Sequence, residues 1–136
     1  MADIAVTASS VAPGTGANVK HGIAGEAITA GEPIYIDTTD GNEVKLADAN
    51  ASEATAVCKG IALNDAASGQ YVTYAESGKV TFNAVLAAGK VYVVSATPGG
   101  IAPVADLATG WRTTILGVAE STTSLVLGIR AYGIVN

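Results

Sequence analysis

Short runs of alternating apolar and polar residues, separated by glycine-containing breaks, set the pattern of this chain. Gln70-Tyr71-Val72-Thr73-Tyr74 places Tyr71 and Thr73 on one face of a strand and Val72 and Tyr74 on the other. Pro33 fixes φ and donates no hydrogen bond, so a strand opens there and runs through Asp37. Asp40-Gly41 is a two-residue hairpin signal, because such turns need the positive φ that Gly, Asn and Asp tolerate. Further strands are predicted over 43–46, 55–63, 79–82, 91–96, 101–104, 112–119 and 125–132, with turns at Ser77-Gly78 and Pro98-Gly99-Gly100. The stretch 48–55 has room for a turn of helix, but it lacks a repeating apolar face and reads as a loop. About ten short strands and no helical period predict an all-β fold, a small barrel or sandwich with no helix longer than about two turns.

Part of this pattern is written twice. Ala27-Ile28-Thr29-Ala30-Gly31-Glu32-Pro33-Ile34-Tyr35 is echoed by Val85-Leu86-Ala87-Ala88-Gly89-Lys90-Val91-Tyr92. Gly31 and Gly89 are 58 positions apart (89 − 31), and so are Asp48 and Asp106 (106 − 48). Gly60 and Gly117 are 57 apart (117 − 60). Two copies are too few for a solenoid. The expectation is a tandem duplication in one β domain, residues 23–136, with halves of about 23–80 and 81–136 in which Tyr35 matches Tyr92 and Gly60 matches Gly117.

Residues 1–22 follow neither period. Asp3 to Thr7 has the makings of a short strand, and a breaker cluster follows at Ser9, Ser10, Pro13, Gly14, Thr15 and Gly16. The segment reads as an extended N-terminal arm with little of its own to pack against. It is either an idle flexible terminus or an arm that orders on a partner, with Ile4, Val6 and Val11 as the apolar contacts.

Composition narrows the function. Charged residues make up 14% of the 136 positions, against about 25% in ordinary globular chains. Either the surface is Ala-rich and simply thrifty with charge, or much of it meets protein. Net charge is −5 and the seven Lys and Arg are scattered singly. Contact with phosphate needs clustered cations, so neither nucleic acid nor an anionic membrane is expected as a partner. Cys58 is the only cysteine, which excludes an intrachain disulfide, and beside Val57 it reads as a small buried hydrophobe. No apolar run approaches about 18 residues, and no signal peptide is apparent.

Catalytic and metal constellations are missing from this reading. His21 is the only histidine and lies far in sequence from Cys58, whereas triads and zinc sites need several such groups together. Gly14-Thr15-Gly16 opens like a dinucleotide fingerprint but follows Pro13 with no helix behind it. Asp37-Thr38-Thr39-Asp40-Gly41-Asn42-Glu43 is rich in oxygen ligands but fails the spacing of a calcium loop, and a hairpin turn explains it. Trp111, after Gly110, is either a residue covering one end of the core or an anchor at an interface. The expectation is a non-enzymatic protein with no cofactor.

Two runs carry a family resemblance: Gly25-Glu26-Ala27-Ile28-Thr29-Ala30-Gly31-Glu32-Pro33-Ile34-Tyr35, and Lys59-Gly60-Ile61-Ala62-Leu63-Asn64-Asp65-Ala66-Ala67-Ser68-Gly69-Gln70. With them the chain, over about residues 22–130, resembles the capsid cement (decoration) proteins of tailed bacteriophages. The resemblance implies a small β-rich structural protein, commonly a homotrimer. Such a protein is made in the host cytoplasm and bound on the virion to the major capsid protein, outside a head that it reinforces after expansion. It carries over no catalytic position. The competing class is a surface carbohydrate- or ligand-binding β module using Trp111 and the 37–43 loop.

Overall fold

The computed structural model describes residues 3–39 and 41–135. The ten strands are β1 (Ala12–Pro13), β2 (Asn18–Ile23), β3 (Pro33–Asp37), β4 (Glu43–Leu46), β5 (Gly60–Ala62), β6 (Tyr71–Thr81), β7 (Val91–Val94), β8 (Ile101–Pro103), β9 (Arg112–Ala119) and β10 (Ser124–Val135). All named pairings are antiparallel. The fold is the expected all-β body, a sheet curled into a half-barrel.

Strand order along the sheet is β4-β3-β5-β6-β10-β9-β7-β8. The first four strands therefore reappear in mirror sequence as the last four. Pairing registers agree as well. Ile34 pairs with Leu46 and Gly60, and Tyr92 pairs with Pro103 and Gly117. Ala62 pairs with Tyr74, and Leu125 with Ala119. Gly60 and Gly117 thus hold one topological position. The tyrosines do not: Tyr92 stands where Ile34 does, and the counterpart of Tyr35 is Val93. Gly31 to Tyr35 is one residue longer than Gly89 to Tyr92, and a one-residue step in a strand moves a side chain to the other face. Tyr92 is accordingly buried in the core while Tyr35 is only partly covered.

Two differences from the sequence reading have clear physical causes. Ser77-Gly78 is not a turn; β6 is one eleven-residue strand. Gly78 has φ +86 inside it, and a Cβ there would collide with the backbone carbonyl of Gly16. Glycine therefore admits a crossing backbone instead of reversing the chain. Residues 71–77 of β6 pair with β5 and β2, and residues 78–81 with β10 and β1. The second difference is a single helical turn, α1 (Glu53–Ala56), in a stretch read as loop and strand. Ser52 and Thr55 cap each other reciprocally, so local hydrogen bonds hold a turn too short to show a period. At the β3–β4 hairpin the left-handed residues are Gly41 and Asn42, one position later than expected; Asp40 lies outside the described residues.

The main core gathers Ile61, Phe82, Leu86, Tyr92, Leu116 and Leu125 from both halves. A smaller cluster of Ile28, Ile34, Val44, Val72 and Tyr74 lies wholly in the first half. Cys58 belongs to the main core, its thiol within 3.3 Å of the Gly60 carbonyl, and burial pushes its pKa up to about 12. A thiol reagent at pH 8 is expected to leave the native protein almost unlabelled and to label one thiol per chain in urea. Rapid labelling of the native state would contradict this burial.

Candidate partner-binding surfaces

The N-terminal segment lies on the body. Ile4, Val6 and Val11 are each partly buried and pack against the main core, so the segment has partners that the sequence did not disclose. Val6 and Val11 rest on Gly31, where a side chain would strike them. The Ile4 amide donates to the Ile101 carbonyl (2.9 Å), and the Ser95 hydroxyl donates to the Asp3 carboxylate (2.6 Å). Asn83 clamps the chain between them. Its carbonyl oxygen accepts from the Thr7 amide (2.8 Å) and its amide nitrogen donates to the Ala5 carbonyl (3.0 Å). Facing outward are Ala5, Thr7, Ser9 and Ser10.

A shallow cleft of about 290 Å³ opens beside this segment, lined by Asp3 and Ile4, the 29–32 turn and the 97–101 turn. It lies between the turn before β3 in the first half and the β7–β8 turn in the second. Glu32 lines it, accepting from the Thr29 amide (2.6 Å), and partial burial raises its pKa. Gly99 leaves the space that the Glu32 carboxylate occupies.

Trp111, the other expected contact, is also partly buried against the main core. Asp37 and Thr39, which open the 37–43 loop, share a hydrogen-bond network with Lys45. The Asp37 carboxylate accepts from the Thr39 hydroxyl (2.7 Å), the Lys45 ammonium (2.9 Å) and the Thr39 amide (3.0 Å). The Thr39 hydroxyl first, then Lys45, lowers the Asp37 pKa to about 2. Because the folded-state value is depressed, this stabilisation is complete above the ordinary Asp range near 4 and is lost as pH falls through about 2. A carboxyl-carbon NMR titration is expected to place the Asp37 midpoint near 2, and Thr39→Ala to move it upward. An unshifted midpoint in the wild type would remove this network.

His21 stands on β2 with its ring 5.9 Å from that of Tyr71 in an edge-to-face contact. Val19, Ile23 and Tyr71 are all exposed, Tyr71 at 69%, and with His21 they make an apolar stripe on the β2–β6 face. A second exposed apolar set, Val118 and Val126, lies on the β9–β10 face. Neither set is legible in the sequence. Their residues alternate like any half-buried strand, and only the topology shows which faces stay uncovered.

Among the described residues no group of three or more His, Cys, Asp or Glu side chains is placed to hold a metal ion. No helix among them is long and apolar enough to cross a membrane. No protein-family model matches the chain, and no curated protein matches it.

Proposed function

We propose that this protein is a capsid decoration protein of a tailed bacteriophage. It binds the outside of the expanded head, contacts the major capsid protein and copies of itself, and stabilises the shell without catalysing a reaction. Its place is the virion surface, and its assembled form a homotrimer. The tandem duplication belongs to this proposal, supported by the matching registers of the two halves.

One observation carries the reading. The two runs that bear the resemblance, 25–35 and 59–70, meet as one unit: Ile28 bridges Ala66, the Gly31 amide donates to the Ala62 carbonyl, the Ala30 amide to the Asp65 carboxylate, and the Lys59 amide to the Ile34 carbonyl. Residues far apart in sequence thus form a single rigid corner. A second support is that exposed apolar side chains occur in patches on a body with little surface charge, as suits protein contact. Within this reading Ile4, Val6 and Val11 act from beneath, holding the N-terminal segment so that Ala5, Thr7, Ser9 and Ser10 face the capsid. Trp111 packs against the main core.

The test is direct. Purified protein is mixed with expanded and unexpanded empty heads of a tailed phage whose genome encodes it, and bound copies are counted by gel densitometry and cryo-electron microscopy. Saturable binding to expanded heads, with an increase in their thermal resistance, is the expected result. No binding to either form would end the proposal.

A further inference from the structure

The two strands that end the sheet order, β4 and β8, are covered at one equivalent point by different parts of the chain. Val44 lies opposite Ile36 and Ile101 opposite Val94, which is the same position in each half. The Val44 carbonyl accepts from the Gly25 amide (2.8 Å), and the Ile101 carbonyl from the Ile4 amide (2.9 Å). In the first half the donor belongs to that half. In the second it comes from the N-terminal segment.

Spacing accounts for the substitution. Lys20 and Val80 are equivalent through their partners Tyr74 and Leu125, which pair with Ala62 and Ala119. Ile28 and Leu86 are equivalent too, each three residues before a glycine, Gly31 or Gly89, whose amide donates to the Ala62 or Ala119 carbonyl. Lys20 to Ile28 is 8 positions (28 − 20), and Val80 to Leu86 is 6 (86 − 80). Two residues span up to about 7 Å, more than the roughly 4.8 Å between neighbouring strands. The shorter passage leaves the β8 edge to Ile4, and its Asn83 meets the segment with a side chain.

The place where the segment lies is shaped for its residues. Ile4 and Val6 are partly buried and Ala5 and Thr7 exposed, the alternation of an extended strand. A Cβ on Gly31 would strike Val6, and one on Gly100 would strike the Asp3 carboxylate. Ser95 is 1% exposed and donates its hydroxyl to that carboxylate (2.6 Å), so a buried donor depends on an acid in the segment. Asn83 reads main chain only, accepting from the Thr7 amide and donating to the Ala5 carbonyl.

We propose that the β8 edge, Ser95, Asn83 and the two glycines form a strand-acceptor site for an extended peptide. The peptide it takes carries an acid, an apolar residue, any residue and a second apolar residue in that order. Residues 3–7 are the resident occupant, and another segment of the same pattern replaces them once they are unseated. Main-chain hydrogen bonds give the affinity and alternate side chains the selection. Unseating is local, because neither half's strand ladder runs through the segment. No phage head takes part, so the site stands or falls apart from the capsid reading.

A fluorescent synthetic peptide of residues 1–12 tests this on full-length chains carrying Val6→Asp or Ile4→Pro. The first puts a charge on the Gly31 seat, and the second removes the amide bonded to Ile101; both unseat the resident segment and leave the site intact. Circular dichroism and a thermal melt establish which variants are folded. Fluorescence anisotropy is expected to show saturable binding of one peptide per variant chain. Binding to wild type is expected to be about tenfold weaker or more, because the resident competes at an effective concentration on the order of mM. The same peptide carrying Val6→Asp is expected not to bind, and Asn83→Ala added to the variant chain to weaken binding roughly tenfold. The proposal is overturned if a folded variant binds no peptide up to the peptide's solubility limit, or if wild type binds it equally well. It is equally overturned if the altered peptide binds like the parent, or if Asn83→Ala changes nothing. Should neither variant fold, hydrogen exchange on the wild-type chain decides. The Ile4 amide is expected to exchange about tenfold faster or more than the Ala119 amide, which is bonded to the Lys90 carbonyl, and Asn83→Ala to speed Ile4 alone. Exchange of Ile4 as slow as that of Ala119 would make the segment a fixed part of the body and overturn the proposal.

Discussion

Gly117→Ala is expected to cost roughly 3 kcal/mol or more, the upper end of overpacking in a well-filled interior. Gly117 pairs with Tyr92 on one side and Leu127 on the other, in the middle of the second half's ladder. A methyl group there would collide with the Val126 carbonyl and press on the Leu127 backbone. Both obstacles are main chain, fixed by the β9–β10 pairing, so no side-chain rotation relieves them. Against a total stability of about 5–15 kcal/mol, such a loss is large enough to see as a shifted urea midpoint or failure to fold. Gly60→Ala is expected to act in the same direction, because its Cβ meets the Ala75 carbonyl and the Tyr74 ring. If Gly117→Ala unfolds at the wild-type midpoint, the close approach of β9 and β10 is wrong.

Phe82→Ala is expected to cost about 3–5 kcal/mol, the range for emptying the site of a buried aromatic. Phe82 is the only phenylalanine, is 2% exposed, and stands where the chain leaves β6 for the second half. Its amide donates to the Thr123 carbonyl (2.7 Å), so the ring is fixed from both chain directions. The cavity would open among Ile61 of the first half and Tyr92 and Leu125 of the second. One cooperative transition at lower urea is the expected result, since both halves share that core. Two separate transitions would mean that the halves are stable independently.

Strands were legible in the sequence where glycine marked their ends. Gly31 and Gly89 do occupy left-handed turns, and β9 spans the expected 112–119. Ser77-Gly78 misled because a glycine that turns the chain and one that admits a crossing backbone look alike in sequence; only Gly16 lying against Gly78 separates them. Tyr35 and Tyr92 misled because matching residue types outweighed a one-residue difference in spacing that register does not forgive. Among the candidate contacts, Ile4, Val6, Val11 and Trp111 were visible as apolar residues, but the coverage of the first three involves Gly31 and Ile101, distant in sequence. The exposed Val118 and Tyr71 were hidden for the converse reason: alternation shows that a strand has two faces and leaves open which of them another layer covers.

The double duty of β6 also sets the order in which the chain can fold. Its residues 78–81 find their β10 partners only at 124–127, so Val80 waits 45 positions (125 − 80) for Leu125. Pairing over such separations is slow, because loop entropy is spent before the contact forms. On a ribosome the first half can close its own small cluster early, while the rest of β6, Phe82 and Leu86 remain uncovered until the last strand emerges. A chain halted before Ser124 would therefore expose both a strand edge and the apolar side chains meant for the main core, and its expected fate is aggregation in place of a folded half.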